Sequence, residues 1–392
     1  MESSCDDTCC SVYVDGVLCS NVVSSQLCNS AYGGVVPELC SRMHLRSIYD
    51  VVNSSLQTAW KNITSDPALA LKVKGDNYRC LLRQITVLVY TNGTGLLGSL
   101  LVGSMYMKGL GIMLGKPVIL CDHLMGHALS VYVHRGMPLA LPYSGQNQPA
   151  VPFVSLLVSG GNSAIFLMED VDEMTLVGTT IDDAVGELLD KTGKLLGLPY
   201  PSGKLIDEAA MRWKHRSPEQ SSALPDFRFP MPKVGGYDFS FSGLKTSVLY
   251  TVRDMLRERG LSSVEELLAA EPDLRDALCY GVLNAAVGHL LQKVRKYVRE
   301  NWDVRRYGRC RVALGGGVSA SRFLREALQD AAKREHWDVY YPEMAFTTDN
   351  AAMVGLAGWY RWLKGERGQK KDALAVAPYA KSPRHGRFHG QK

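Results

Sequence analysis

Apolar positions recur at two different periods along this 392-residue chain, and the two kinds of segment are mixed throughout. Short apolar runs with strand character span residues 11–19, 85–91, 118–121, 153–159, 164–168 and 311–314. Apolar residues spaced three and four apart predict helices over residues 37–61, 98–114, 183–196, 274–301, 319–334 and 350–363. Strands interleaved with helices in this way predict an α/β fold. Residues 217–243 break both patterns with Pro and Gly and with spaced aromatics, Phe227, Phe229, Tyr237, Phe239 and Phe241. A connection that long is more often functional than filler.

Composition narrows the class. Hydrophobic residues make up 46% of the chain and charged residues 21%, an ordinary globular balance. The length suits two or three domains, or two lobes of one fold. No run reaches the roughly 18 uncharged apolar residues of a membrane span. The start, Met1-Glu2-Ser3-Ser4-Cys5-Asp6-Asp7, lacks the basic-then-apolar order of a signal peptide. A cytoplasmic protein with no membrane partner is therefore expected, and its ten cysteines read as reduced thiols rather than a disulfide frame. Charge is uneven. Residues 361–392 hold nine Lys or Arg against Glu366 and Asp372, more than the chain's whole net charge of +5. Such a tail can track a phosphate backbone or simply stand solvated as a flexible terminus. A second basic stretch runs from Lys293 to Arg311.

The densest chemistry lies at His123-Leu-Met-Gly-His127, directly after the apolar run 117–121. With a helix starting near Asp122, both imidazoles share one face, a turn apart, as a helix presents two ligands to one metal ion. The same spacing also fits two half-buried histidines bonded to backbone carbonyls. A metalloprotease helix carries its general base directly after the first His, and here that residue is Leu124. Asp349, in Thr347-Thr348-Asp349-Asn350, can cap a helix or complete a two-His, one-carboxylate ligand set with open positions. Three glycine-rich turns end strands: Asn92-Gly93-Thr94-Gly95, Ser159-Gly160-Gly161-Asn162 and Gly315-Gly316-Gly317-Val318. Bare backbone at a helix N-terminus is a seat for phosphate or nucleotide. None of the three has Walker spacing. Asp183, Glu187 and Asp190 fall at i, i+4 and i+7, the spacing of one helical face.

Taken in order, Glu2-Ser-Ser-Cys-Asp-Asp-Thr8, Tyr32-Gly-Gly-Val-Val-Pro-Glu-Leu39, Val158-Ser-Gly-Gly161, Gly178-Thr-Thr-Ile-Asp-Asp-Ala184, Asp190-Lys-Thr-Gly-Lys-Leu-Leu-Gly197, Asp238-Phe-Ser-Phe-Ser-Gly-Leu-Lys245, Gly316-Gly-Val-Ser319 and Thr348-Asp-Asn-Ala-Ala-Met353 strongly resemble the TsaD family. These are the tRNA N6-adenosine threonylcarbamoyltransferases, once described as O-sialoglycoprotein endopeptidases. The resemblance runs from residue 2 to about residue 363. It implies a two-lobed α/β fold of the actin, hexokinase and heat-shock-chaperone ATPase type, with ribonuclease-H-like lobes. Lobe I would comprise residues 1–116 with helix 350–363 packing back, lobe II residues 117–349, and residues 364–392 a basic, flexible tail.

The implied activity is metal-assisted transfer of threonylcarbamoyl from threonylcarbamoyl-AMP to N6 of the adenosine 3′ of the anticodon in tRNAs reading ANN codons. The implied metal ligands are His123, His127 and Asp349, holding one divalent ion, Fe2+ in preference to Zn2+. The implied intermediate-binding residues are Leu157, Val158, Ser159, Gly160, Gly161, Asp190, Gly203, Asp207 and Ser321. No residue stands out as the general base. The implied partners are tRNA, a TsaB-like paralogue and a TsaE-like ATPase, with helix 37–61 the first place to look for the paralogue.

The chain also departs from the family pattern. The apolar strand that usually precedes the Glu-Thr-Ser-Cys-Asp segment is not present ahead of Glu2, so the first strand is expected to be truncated. Met125 stands for a usual Glu, Thr94 for a Pro, Asn162 for the bacterial His and Ser321 for an Asn, whose amide has two donors where a hydroxyl has one. The other readings are an impaired or noncatalytic paralogue of the same fold, a small-molecule kinase or a metalloprotease.

Overall fold

The computed structural model describes residues 1–26, 32–134, 148–217, 224, 226–366, 375–381 and 387–389. In chain order, β1 (Asp7–Val14) and β2 (Val17–Ser25) precede α1 (Pro37–Ser65), α2 (Pro67–Ala70), α3 (Cys80–Gln84), β3 (Leu88–Gly93), α4 (Leu97–Leu114), β4 (Val118–Asp122) and α5 (His123–Leu129). Then come β5 (Phe153–Val158), β6 (Ser163–Asp170), β7 (Glu173–Thr179), α6 (Val185–Leu195), α7 (Gly203–Lys214), α8 (Ser242–Arg259), α9 (Val264–Ala270) and α10 (Leu274–Asn301). α11 (Val304–Tyr307), β8 (Arg311–Gly315), α12 (Arg322–Glu335), β9 (Asp338–Tyr340), α13 (Ala351–Leu363) and β10 (Arg387–His389) complete the order.

Two compact units result. The first holds Met1–Pro152, Met168–Thr175 and Pro342–Lys392; the second holds Phe153–Leu167 and Leu176–Tyr341. The sequence expectation put the boundary after residue 116. It falls at Pro152 because β4 pairs in parallel with β3, and α5 packs on α13, so residues 117–134 stay with the first unit.

In the first unit, the single strand expected over residues 11–19 is a hairpin. Asp15 (φ 46°) and Gly16 (φ 84°) make the tight turn between β1 and β2, the positive φ values that an Asp-Gly pair accepts most readily. Met1 and Glu2 lie between β1 and β3. The Met1 amino group donates to Val89 O (2.9 Å) and Thr91 N to Met1 O (3.1 Å), while Glu2 and Cys9 exchange both backbone bonds (3.0 and 2.9 Å). α1 starts with Pro37 in its first turn and packs Ile48, Val51, Val52 and Leu56 against the strands. α4 is long and apolar enough to cross a membrane by length and composition alone. In the fold it packs on α1 and β3, and Gly115 (φ 63°) ends it in the left-handed region.

The second unit is built on a sheet of order β7-β6-β5-β8-β9, in which β5, β8 and β9 run parallel. Its central strand β5 is buried on both faces, Val154, Leu156 and Val158 on one and Phe153, Ser155 and Leu157 on the other; Val312 and Leu314 of β8 and Leu278, Leu283 and Leu290 of α10 are inaccessible too. Each such apolar side chain contributes about 1.5–3 kcal/mol relative to exposure. Lys293 of α10 pins the irregular stretch before β-bridge residue Phe239, donating to Val234 O (2.6 Å) and Gly236 O (3.1 Å).

Three further features of the sequence take a definite form in the fold. The basic run 293–311 is largely spent on the protein itself: Arg295 and Arg299 pair with Glu335, Arg309 with Asp338, and Lys293 with the carbonyls just named. The acidic face at residues 183–190 is not one face. Asp183 precedes α6 and is bridged to Glu187 by Lys191 (2.7 and 3.3 Å), while Asp190 accepts from Ser202 N (2.7 Å). Of the expected flexible tail, residues 367–374, 382–386 and 390–392 lie outside the described residues. The described part is bonded into the fold: residues 376–380 lie along the β3–α4 loop, and β10 pairs antiparallel with β7 through Glu173–Thr175.

Candidate functional site

β4 delivers α5 directly from its end. Asp122 caps the helix, its Oδ1 accepting from Leu124 N (2.8 Å) and Met125 N (3.2 Å). Every residue of α5 is buried, including His123 and His127. The two imidazoles meet edge to face with centroids 4.6 Å apart. At the start of α13 it is Asn350, not Asp349, that caps the helix, its Oδ1 accepting from Met353 N (2.9 Å). That releases the Asp349 carboxylate to face the histidines. Its Oδ1 lies 3.0 Å from His127 Nε2 and 3.7 Å from His123 Nε2. The ligand atoms of His123, His127 and Asp349 all fall within 4.8 Å of one another, so the three can hold one metal ion. Two neutral nitrogens and one carboxylate oxygen suit a first-row divalent cation with positions left open.

A second carboxylate stands behind the first histidine. Glu2, almost wholly buried, places Oε2 3.2 Å from His123 Nδ1, and its two oxygens also accept from Ser4 N (2.5 Å) and Thr91 Oγ1 (2.6 Å). Ser4 Oγ sits 3.1 Å from the same Nδ1. A carboxylate on the outer nitrogen fixes the imidazole so that Nε2 faces the ligand group. Burial disfavours a charge on His123, but Asp349 and Glu2 outweigh it and hold the imidazole up at about 9. Burial likewise works against ionised Asp349, and the two histidines overcome it, holding the carboxyl down at about 2. Buried Glu2 and half-buried Asp349 around the two imidazoles make a pocket of negative potential that favours a cation. Sequence reasoning missed Glu2 and Ser4 as partners of His123. Both stand in the first motif, but no spacing rule connects them to a residue more than a hundred positions away.

In the second unit, Leu157, Val158, Ser159, Gly160 and Gly161 form the end of β5 and the turn after it. Ser159 N donates to Asn162 O (2.7 Å), and Ser159 Oγ accepts from Asn162 N (3.1 Å). Two glycines let neighbouring segments close on this turn. A Cβ on Gly316 would lie 2.5 Å from Val158 O, and one on Gly186 would lie 2.6 Å from Gly160 Cα. Gly160 and Gly161 themselves face open space. Asp207 and Ser321, 114 positions apart, are brought together: Ser321 Oγ donates to Asp207 Oδ1 (2.5 Å), and Asp207 also accepts from Arg322 N and Phe323 N (3.0 and 3.2 Å). The pair thus anchors the start of α12. Gly203 opens α7, next to Ser202, whose N–H the half-buried Asp190 holds. Burial pushes the Asp190 carboxyl up.

The third glycine turn, residues 92–95, is filled by the protein itself: Leu96 N donates to Ser4 O (2.7 Å) and Gly95 N to Ala380 O (3.2 Å). Both of these amides are therefore already spent within the protein rather than left for an anion.

Comparison with known proteins agrees with the motifs. The family model for TsaD, tRNA N6-adenosine threonylcarbamoyltransferase, matches residues 17–356. A Porphyromonas gingivalis protein described as a tRNA N6-adenosine threonylcarbamoyltransferase is 39% identical over 371 residues, covering 93% of each chain. One of the same description from Christiangramia forsetii is 38% identical over 364 residues, covering 93% of this chain and 92% of the other. Among solved structures, full-length HypF in its phosphate- and nucleotide-bound form overlays with a TM-score of 0.49 at 11% identity, over 80% of this chain and 43% of that one, below the level that shows a shared fold. By family model and by full-length relatives, this chain belongs to the TsaD family, the tRNA N6-adenosine threonylcarbamoyltransferases.

Proposed function

We propose that this chain transfers the threonylcarbamoyl group of threonylcarbamoyl-AMP to N6 of the adenosine 3′ of the anticodon in tRNAs that read ANN codons, in the cytoplasm. The observation that carries this reading, beyond family membership, is the convergence of buried His123 and His127 with half-buried Asp349, and Glu2 behind them. These three residues would hold one divalent ion, Fe2+ in preference to Zn2+, and such an ion supplies Lewis-acid stabilisation of oxygens that gain charge, worth about several kcal/mol. Glu2 and Ser4 orient His123 by holding its Nδ1. The glycine-flanked turn Leu157–Gly161 and the anchored set Asp190, Gly203, Asp207 and Ser321 would bind the adenylate. Ser321 Oγ donates to Asp207 and accepts from Leu324 N, and Asp207 Oδ1 already accepts two bonds, so adenosine recognition there would fall to Asp207 Oδ2 and to backbone.

The chain is expected to work with a TsaB-like paralogue and a TsaE-like ATPase. For the paralogue, α1 and α4 pack together and leave Leu45, Tyr49, Leu97, Leu101, Met105 and Ile112 exposed. A second chain of the same fold offers a matching helix pair, so apolar surface can meet apolar surface.

The test is transfer of labelled threonylcarbamoyl from threonylcarbamoyl-AMP to an ANN-reading tRNA by the purified protein with its paralogue and ATPase. His123→Ala should lose transfer and metal together. Full transfer by His123→Ala, or by protein stripped with chelator, would overturn the metal role.

A further inference from the structure

The segment 376–380, expected to be loose tail, is bonded at four points to elements around the candidate metal helix. The nearly buried Lys108 of α4 donates to Val376 O (2.6 Å). Asn92 Nδ2 donates to Ala377 O (3.1 Å), Tyr379 N to Asn92 O (3.0 Å), and Gly95 N to Ala380 O (3.2 Å). The Tyr379 ring lies over Gly93, in the space a Cβ there would fill. A residue 286 positions earlier must therefore be glycine for this ring to seat. At the end of the ring, the Tyr379 hydroxyl donates to Asp122 Oδ2 at 2.5 Å. Asp122 is the residue whose other oxygen caps α5.

α5 has only seven residues, and two of them are the histidines. A helix that short has little stability of its own, so its placement depends on its cap and its packing. We propose that residues 376–380 form a clasp in which Tyr379 is a positioning residue: by fixing Asp122 it sets the α5 N-terminus and hence the aim of His123 and His127. The chain of contact is continuous, from Lys108 and Asn92 through the clasp to Tyr379, from Tyr379 to Asp122, and from Asp122 to the amides of Leu124 and Met125 beside His123. The carboxylate could cap α5 without Tyr379, but it would lose the bond that Tyr379 makes to Oδ2.

This inference rests on the metal reading above, and the test separates the two. Zn2+ affinity is measured by chelator competition on the full chain, for the unmodified protein, Tyr379→Phe, Gly93→Ala and His123→Ala, with amide exchange at Leu124 and Met125 followed in parallel. Tyr379→Phe keeps the ring on Gly93 and removes only the hydroxyl. It should weaken Zn2+ by about tenfold, the low end of what outer partners of metal ligands command, speed exchange at both amides and leave the thermal midpoint in place. Gly93→Ala expels the ring and should do the same or more. Unchanged affinity and unchanged exchange in Tyr379→Phe would overturn the clasp. If the unmodified protein and His123→Ala bind Zn2+ alike, the metal reading falls instead, and the amide exchange alone then decides the clasp.

Discussion

Replacing Glu2 with Gln tests how the buried pair works. The substitution keeps shape but removes the charge that faces His123 Nδ1 at 3.2 Å, and it turns one of the two oxygens that accept from Ser4 N and Thr91 Oγ1, at 2.5 and 2.6 Å, into an amide donor. Two effects on metal affinity oppose one another. Loss of the carboxylate behind a ligating imidazole costs about tenfold to a hundredfold, or about 1.4–2.7 kcal/mol. Against this, Glu2 is one of the groups holding the metal-free imidazole at about 9, so at pH 7 a proton competes with the metal for His123. Every pH unit by which the substitution lowers His123 relieves that competition by about 1.4 kcal/mol. The orientation effect acts at all pH values and the proton effect only below about 9, so the loss should be small at pH 7 and near its full size at pH 9. Chelator competition with Zn2+ at both pH values reads the difference directly. Equal affinity of the two proteins at pH 9 would refute the role of Glu2.

Three other outcomes are expected. In the metal-free protein, the raised His123 contributes stability that is complete below about pH 6.5 and disappears as pH rises through about 9, so metal uptake at pH 7.5 should release close to one proton, measurable by calorimetry in buffers of different ionisation enthalpy. His289 is buried between Phe239 and Phe241 and held down at about 4, chiefly by burial and then by Lys293. The unfolded chain therefore binds that proton first, and stability should fall by up to about 3 kcal/mol as pH drops from about 6.5 to 4, with His289→Phe showing a flatter acid limb in urea titrations. Gly316 has φ 82° and ψ 164°, a region essentially closed to other residues, and Val158 O blocks its Cβ. Gly316→Ala should destabilise the protein by about 1–3 kcal/mol and weaken adenylate binding; unchanged urea unfolding would exclude the strain.

Much of the architecture could be read from periodicity. The runs at 118–121, 153–159 and 311–314 are β4, β5 and β8, and the helices at 98–114, 274–301 and 350–363 are α4, α10 and α13 with ends shifted by at most one residue. Elements were lost where local signals were weak or misread. The Asp15-Gly16 turn was passed over inside an apolar run, hiding β2, and α7 and α8 flank the irregular stretch that interrupted the helical pattern.

The sequence by itself determined the family, because ordered motifs along most of the chain survive without any geometry, and it singled out His123, His127 and Asp349 by donor chemistry and helical spacing. Tertiary structure decided which roles those side chains are free to take. Asn350 caps α13 and so releases Asp349; Glu2 and Ser4 fix the outer nitrogen of His123; and the third glycine turn is closed by Ser4 and Tyr379 rather than left for an anion. The cap at Asn350 is local, but the other contacts join residues scores to hundreds of positions apart. Local periodicity carries no information about such contacts, since they are set only when the strands pair and the helices pack.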